Sequence, residues 1–296
     1  MSQARRAHIE SLIRRLFLGC AAATIVAVLL IFIFIAKEGL PALLELDLAN
    51  LFGSEWVPVT FQEERYGVIP LITASLLVTA LATLMAVPLG VGGAVYLYAF
   101  AGEREREFLK PFIELLAGIP SVVLGFFGLV VIAPAIKSLF GLPTGLNALT
   151  GAVLLAFMAV PTIVTIAEDA LRAVPREYRQ ASLAVGATHW QTTWRVMLPA
   201  AKSGVMAAVM LGIGRVIGET MVVLMVTGNA AKLTASPFDS VRTMTATIAA
   251  EMGEVARGST HYQVLFIVGL LLLLMTLLVN LYARRLLVPR VKRRRR

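Results

Sequence analysis

The sequence is poor in the residues that charged and redox chemistry require. Only 15% of its 296 residues are charged, and Cys20 is its single cysteine. Soluble domains average about 25% charged residues, so the composition disfavours a soluble fold. One cysteine excludes a disulfide within the chain and a cysteine-rich metal site. The three histidines, His8, His189 and His261, are scattered without metal-ligand spacing, so no metal site is predicted.

Phosphate-binding loops for nucleotides are also missing. The sequence contains no G-x-x-x-x-G-K-[ST] motif, so we expect the chain neither to bind ATP itself nor to act as an enzyme. Gly214 and Gly218 form a G-x-x-x-G pattern, which favours close helix packing over a ligand loop.

Apolar runs are what the sequence has in abundance. It is 58% hydrophobic, with a mean hydropathy of +0.82. A helix needs about 20 apolar residues to cross a bilayer. We therefore predict an all-α integral membrane protein of six transmembrane helices. The predicted spans are Leu16–Ala36, Val68–Phe100, Phe112–Ile136, Leu149–Ala167, Val205–Gly228 and Val264–Tyr282.

Basic residues predict the orientation of these spans. Of the 27 Lys and Arg, 20 fall on one side when the spans alternate, 6 fall on the other side, and Arg215 lies inside a span. Because Lys and Arg accumulate in inner loops, we expect both termini to be cytoplasmic. The basic C-terminal run directly follows a span, which favours attraction to membrane lipid over binding of nucleic acid.

The chain divides into three predicted parts. Residues 1–67 hold an N-terminal cytoplasmic segment, the first span and an outer segment. Residues 68–283 form the transmembrane core, which includes a long helix-prone inner loop at 168–203. Residues 284–296 form a basic cytoplasmic tail.

The inner loop carries the most specific pattern in the chain. Residues 180–199 read QASLAVGATHWQTTWRVMLP, which resembles the EAA loop of ABC-importer permeases: E-A-A, three residues, Gly, nine residues, then I-x-L-P. Gln stands here for the Glu, and Ser for the second Ala. A short helix, a glycine break and a second helix would form a rigid knob that docks into a soluble partner. The predicted coupling residues are Glu177, Gln180, Ala181, Ser182, Gly186, Ala187 and Thr188.

Further segments extend the resemblance from Trp56 onward. They read WVP at 56–58, ELLAGIPSVVLGFFGL at 114–129, LTGAVLLAFMAVPTI at 149–163 and LGIGRVIGETMVVLMVTGN at 211–229. The chain is thereby similar to permeases of the phosphate ABC-importer family, of the PstC type rather than the PstA type.

The resemblance implies a fold, partners and a location. The fold would be that of type I (MetI-like) ABC-importer permeases, in the bacterial cytoplasmic (inner) membrane. The partners would be a PstA-type permease subunit, two copies of a PstB-type ATPase and an extracytoplasmic binding protein that delivers inorganic phosphate. The chain itself would hold no cofactor, since ATP and Mg would be bound by the ATPase.

Two charges stand in the fifth predicted span. Arg215 and Glu219 are four residues apart, so one continuous helix would place them on the same face. A charge at mid-bilayer costs about 2.5–3.5 kcal/mol on insertion scales. Two interpretations are open: a structural ion pair, or a face that lines the pathway, where the guanidinium fork suits phosphate oxygens.

Prolines mark candidate helix breaks in the core. Pro88 should kink or break the overlong second span, and Pro120 and Pro161 lie inside the third and fourth spans. Such breaks either line a transport site or serve packing alone. The predicted pathway residues are Ser121, Thr162, Arg215, Glu219 and Thr220.

Two other functions remain open at this level. The chain could be a permease for another oxyanion, such as sulfate or molybdate. It could also be a proton-coupled secondary carrier that works alone, with Glu219 as its proton site.

Overall fold

Long helices dominate the computed structural model, which describes residues 3–60 and 64–287. Within these residues, five helices are long and apolar enough to cross a membrane. A sixth span is obtained when the bent pair His189–Ala200 and Lys202–Ile217 is counted as one. The all-α membrane fold is therefore confirmed. The five spans are Glu10–Leu44, Ile69–Ala99, Ser121–Phe140, Ala148–Arg172 and Thr260–Tyr282.

The elements follow one another as helices with one small hairpin. The helices are α1 (Gln3–Glu45), α2 (Leu48–Leu51), α3 (Ile69–Ala99), α4 (Glu103–Gly118), α5 (Ser121–Phe127), α6 (Ala133–Phe140), α7 (Ala148–Arg172), α8 (Arg176–Ala184), α9 (His189–Thr192), α10 (Leu198–Ala200), α11 (Lys202–Ile217), α12 (Met221–Val226), α13 (Met244–Glu251) and α14 (Thr260–Leu287). π-Helical turns occupy Gly128–Ile132 and Thr193–Met197. The antiparallel strands are β1 (Trp56–Val57) and β2 (Arg65–Tyr66).

Helix α7 lies at the centre of the bundle, with α3 and α11 packed against it. Ile163 of α7 is buried between two glycines, Gly90 of α3 and Gly212 of α11. A Cβ atom on either glycine would lie 2.6 Å from the Ile163 side chain, closer than van der Waals contact permits. Small residues in membrane helices let neighbouring backbones approach closely. The two glycines therefore set the spacing of the three central helices.

Two of the predicted helix breaks are wrong. Helices α3 and α7 run without interruption through Pro88 and Pro161. Proline removes one backbone hydrogen bond, but a transmembrane helix tolerates this loss where neighbouring helices support it. Both prolines lie on helices that pack closely against each other, and Gly90 of α3 allows this packing.

The third predicted span begins too early. The helical structure is interrupted between Gly118, which ends α4, and Ser121, which begins α5, with Pro120 at the junction. The apolar residues from Phe112 to the break belong to α4, whose first turn carries Glu103 and further charges. The membrane-crossing segment starts at Ser121 and ends at Phe140.

The fifth predicted span is not one helix. Helix α11 ends at Ile217, and α12 starts only at Met221, after a break at Gly218–Thr220. The 74° bend between residues 189–200 and α11 sits at the other end of α11. The predicted span begins after that bend but extends across the break at Gly218–Thr220, which hydropathy could not reveal.

On the side of the bundle opposite the inner loop, the β1–β2 hairpin is fixed by a partly buried polar contact. The Trp56 indole, 6% exposed, donates to both carboxylate oxygens of Glu251 at 3.2 Å. Glu251 also pairs with Arg242 and with the Nε2 atom of His261 at 2.9 Å. This contact fastens the hairpin to α13 and α14. The tail predicted at 284–296 lies outside the described residues beyond Leu287.

A buried carboxylate joins α4 to α7 at the end of the bundle near the inner loop. The side chain of Glu168 is fully buried, with Arg106 Nε and Arg172 Nε each 2.9 Å from its Oε1 and Lys110 Nζ 3.2 Å from its Oε2. Buried charges persist only when paired, because desolvation is costly. Three cations around one carboxylate therefore fix the start of α4 against the end of α7.

We expect Gly90→Ala to destabilise the protein by about 1–3 kcal/mol, since its Cβ would overlap Ile163. The matched control is Gly92→Ala, where no atom lies within 4 Å of the added Cβ. That control should be neutral, or stabilising by up to about 1 kcal/mol from helix propensity. The thermal midpoint of the protein in detergent checks both, and equal midpoints for the two variants would contradict the close contact.

We expect Glu168→Gln to cost about 3 kcal/mol, because it leaves three cations around a neutral side chain. Asp169→Asn is the control: Asp169 is 63% exposed and only reaches Lys110 at 3.7 Å, so its effect should stay below about 0.5 kcal/mol. Chemical unfolding in detergent measures the difference. A Glu168→Gln protein as stable as the Asp169→Asn protein would show that the cluster holds nothing together.

Candidate functional site

Arg215 lies in the last turn of α11, at a junction of three helices. Its Nη1 atom donates a hydrogen bond to Thr162 Oγ1 on α7 at 3.1 Å. Its Nη2 atom donates to the carbonyl oxygen of Ala117, in the last turn of α4, at 3.4 Å. A guanidinium has five N–H donors, so these two contacts leave others available. No carboxylate pairs with Arg215 within residues 3–60 and 64–287.

The positive charge of Arg215 lies next to the C-terminal end of α4, where it is electrostatically favourable. The last carbonyls of a helix lack intrahelical donors and carry a partial negative charge. A cation there contributes about 0.3–1 kcal/mol. Arg215 therefore stabilises the break before Pro120 and links it to α7, while part of its fork stays free for another acceptor.

Glu219 does not pair with Arg215, so the first of the two interpretations, a structural ion pair, does not hold in this conformation. Its Oε1 atom accepts hydrogen bonds from the backbone N–H groups of Met221 at 3.0 Å and Val222 at 3.3 Å. The carboxylate thus caps α12 and complements its positive end. The physical reason is local: α11 ends at Ile217, so the four-residue spacing no longer places the two charges on one face.

The remaining predicted pathway residues lie at the same two breaks. Thr220 directly precedes α12, and its hydroxyl donates to the Gly218 carbonyl at 3.4 Å. Ser121 is the first residue of α5 and is half-buried. The structure therefore brings Thr162 to Arg215, and it places Ser121, Glu219 and Thr220 at helix ends.

A small niche beside Glu219 was missed by the sequence reasoning. Its polar lining comes from Ser75 and Thr79 of α3 and from Thr243 and Thr245, and apolar side chains such as Val78 and Leu155 form the rest. The Thr245 hydroxyl donates to the Glu219 carbonyl at 2.9 Å, and the Ser75 hydroxyl accepts from the Met244 N–H at 2.9 Å. The only sequence signal was hydroxyl side chains within apolar runs, which are common in membrane helices.

The inner loop folds as the expected pair of helices around a glycine. Helix α8 ends at Ala184, and Gly186 follows with φ of +86°, a backbone conformation that L-residues rarely adopt. Thr188 begins α9 with a capping box: its Oγ1 accepts from Gln191 N, while Gln191 Oε1 accepts from Thr188 N. The sequence thus fixes both the turn and the start of the second helix.

A buried hydrogen bond ties the two helices of the inner loop together. The hydroxyl groups of Ser182 and Thr192 lie 2.9 Å apart, and both residues are buried. Ser182 therefore faces its own loop and is unavailable to a partner. Among the other predicted coupling residues, Ala187 is half-buried, and those exposed to solvent are Glu177, Gln180, Ala181, Gly186 and Thr188.

The same loop exposes large apolar side chains. Val185 is 85% exposed, Trp190 58% and Tyr178 53%. Interface cores are enriched in aromatic residues, so these side chains form a candidate docking surface.

The cluster around Glu168 was also missed, although it forms the base of the inner loop. Glu168 and Arg172 are spaced i, i+4 at the end of an apolar run, which is a usable signal for a helical ion pair. Arg106 and Lys110 come from α4, so only the tertiary fold reveals their contacts with Glu168.

Comparison with known proteins agrees with this geometry. Residues 86–293 match the family described as "Binding-protein-dependent transport system inner membrane component". The "Probable ABC transporter permease protein YqgH" of Bacillus subtilis is 41% identical over 274 residues, 92% of this chain and 88% of that protein. The "Phosphate transport system permease protein PstC" of Mesorhizobium japonicum is 36% identical over 289 residues, 90% and 87% of the two chains.

A solved structure supports the fold. A chain of the MetNI methionine ABC transporter, solved in inward-facing conformations, superposes with a TM-score of 0.59 at 21% identity, over 73% of this chain and 92% of that one. The family match and the two relatives account for both the order of the helices and the presence of the inner loop. The chain belongs to the family of inner-membrane permease components of binding-protein-dependent ABC importers.

Proposed function

We propose that this chain is the permease subunit of an ATP-driven importer that moves inorganic phosphate across the cytoplasmic membrane. The observation that carries the proposal is Arg215, a half-buried guanidinium at a helix break with donors to spare and no carboxylate partner among the described residues. Relatives named as phosphate permeases, such as that of Mesorhizobium japonicum, support phosphate as the anion.

The surroundings of the Arg215 guanidinium suit reversible binding of phosphate during transport. Arginine offers a planar fork that matches two phosphate oxygens. In the conformation described, that fork is shared with Thr162 and the Ala117 carbonyl. An arriving phosphate would exchange with these weaker acceptors, and they would take the donors back when it leaves. Glu219 is engaged in capping α12, so its part would be to hold the end of the pathway in shape.

The inner loop is the proposed contact with the ATPase. Its exposed apolar side chains offer a docking surface, and the Ser182–Thr192 hydrogen bond lets the two helices move as one body. Two copies of a PstB-type ATPase, which bind ATP and Mg, would close with ATP and displace the loop. The bundle would then open outward and accept phosphate from an extracytoplasmic binding protein, and hydrolysis would reset it inward.

A second permease of the PstA type would complete the path. Helix α1 is exposed along most of its apolar length, and α5 has a largely exposed apolar surface, so the described bundle has faces for lipid and for a partner. The proposed orientation has both termini in the cytoplasm. Arg106 and Lys110 meet Glu168 at the same end as the inner loop, which supports placing both basic segments on one side.

We expect Arg215→Ala to abolish phosphate uptake while the importer still assembles, and Arg215→Lys to retain a part, because lysine lacks the fork. Uptake of radioactive phosphate by cells, with co-purification of the subunits as the assembly check, measures this. Glu219→Gln is the matched control: its side-chain oxygen can still cap α12, so uptake should persist.

An assembled Arg215→Ala importer with normal uptake would contradict the role of Arg215. Competition with sulfate or molybdate tests which anion is transported. If either anion inhibited uptake more strongly than unlabelled phosphate does, that anion and not phosphate would be the substrate. If uptake persisted without an ATPase, the chain would be a secondary carrier and the proposed ATP-driven importer would be refuted.

We expect Gly186→Ala to uncouple ATP hydrolysis from uptake, because alanine at φ +86° costs about 1–3 kcal/mol and deforms the turn between the docking helices. Gly253→Ala is the control, since it has open space around it and no positive φ. ATPase activity and uptake are measured together in proteoliposomes. Unchanged coupling in the Gly186→Ala importer would exclude the loop as the contact.

A further inference from the structure

A basic pocket lies between the end of α3, the start of α4, the end of α7 and the helix α8 of the inner loop. The side chains that matter in it are Tyr98, Arg106, Arg172, Arg176, Arg179 and Gln180. Four arginines thus converge on one concave surface, and we call this surface the basic pocket. Neither the pathway residues nor the exposed docking side chains explain it.

The charges in the basic pocket do not balance. Glu103 is its one acidic lining residue. Arg106 and Arg172 share the single carboxylate of Glu168, which Lys110 also contacts. No ion pair of Arg176 or Arg179 occurs in the part of the chain that the structure describes. Two guanidinium groups therefore face the pocket without an ion-pair partner among the described residues.

Helix α8 presents these two arginines as one face. Arg176, Arg179 and Gln180 follow the i, i+3, i+4 spacing of a helix surface, so all three line the same wall. Gln180 stands where the EAA pattern has glutamate. Its neutral amide adds no negative charge, so the pocket receives no carboxylate from α8.

Aromatic side chains place the pocket at the level of the membrane surface. Tyr98 lies in the last turn of α3, which crosses the membrane. Phe100, next to that turn, packs against Trp190 with the rings tilted by 43° and their centroids 5.9 Å apart, and Trp190 packs on Trp194 at 5.3 Å. Aromatic residues gather where hydrocarbon meets water, which is also the depth of lipid phosphates.

We propose that the basic pocket binds a phosphate group at the inner membrane surface, either the headgroup phosphate of an anionic phospholipid or free inorganic phosphate. Arginine forks are suited to phosphate oxygens, and basic pockets between membrane helices bind anionic headgroups. Because Arg176 and Arg179 belong to α8, the bound anion would tie the inner loop to α3, α4 and α7. This site is separate from Arg215 and does not depend on which anion is transported.

The first experiment removes the two unpaired charges. The pocket variant is Arg176→Gln with Arg179→Gln, and the control is Arg195→Gln with Lys202→Gln, two exposed basic residues of the same inner loop that do not line the pocket. One arm counts phosphatidylglycerol retained on the full-length protein by native mass spectrometry. The other measures binding of radioactive inorganic phosphate to the lipid-stripped protein, with Arg215→Ala in every sample to remove the other anion site.

We expect binding of one of the two probes to fall at least about ten-fold in the pocket variant and less than about two-fold in the control. Loss of phosphatidylglycerol identifies the lipid, and loss of inorganic phosphate identifies the free anion. Equal losses in the two variants, or no binding of either probe by the protein that keeps Arg176 and Arg179, would overturn the proposal.

The second experiment adds a charge instead of removing one, so it does not depend on the double variant folding. Gln180→Glu would supply the pocket with an internal carboxylate that competes for Arg176 and Arg179, and binding of the same probe should weaken. Gln191→Glu is the control, since glutamate preserves the capping box with Thr188 and lies outside the pocket. Undiminished binding in the Gln180→Glu protein would refute the site.

Discussion

The carboxylate of Glu168 is the constraint on which the half of the molecule around the inner loop depends. It is fully buried, and it is satisfied only when α4 and α7 are both in place, because Arg106 and Lys110 come from α4 and Arg172 from α7. Because α4 is fixed at its start, its last turn lies next to Arg215, which donates to the Ala117 carbonyl. The same cluster uses up part of the positive charge of the basic pocket. One ion cluster therefore positions the helix break before Pro120 and the base of the inner loop, and it brings the end of α4 to Arg215.

Most spans and the inner loop could be predicted because each leaves a local pattern, whereas the start of the third span and the break in the fifth could not. Apolar length finds membrane helices, and a glycine that needs a positive φ, such as Gly186, marks a turn. Helix breaks could not be predicted in the same way, since the effect of proline depends on its surroundings. Pro88 and Pro161 lie on helices supported by close neighbours, whereas Pro120 is exposed and follows a helix end that Arg215 stabilises.

The separation of Arg215 and Glu219 shows the same limit at the level of single side chains. Their spacing predicts contact only if one helix continues through both, and α11 ends between them. A carboxylate near a helix end can either pair with a cation or cap the next helix, and the sequence does not decide between the two. Here the backbone N–H groups of Met221 and Val222 hold it. Arg215 is thereby left with backbone and hydroxyl acceptors, which a dianion can displace more easily than a carboxylate.

The glycine contacts on either side of Ile163 affect how the bundle can move. Interlocked side chains must change rotamer before two helices can shift past each other, and such exchanges make packed interfaces switch between discrete arrangements. At Ile163, the opposing surfaces of α3 and α11 are bare backbone, so nothing on them has to flip. Small sliding motions of α3 and α11 over α7 therefore meet a low barrier at this level of the membrane. Helix α7 can therefore stay in place while α3 and α11 slide over it. The ion cluster at the end of α7 limits how far α4 moves with the inner loop.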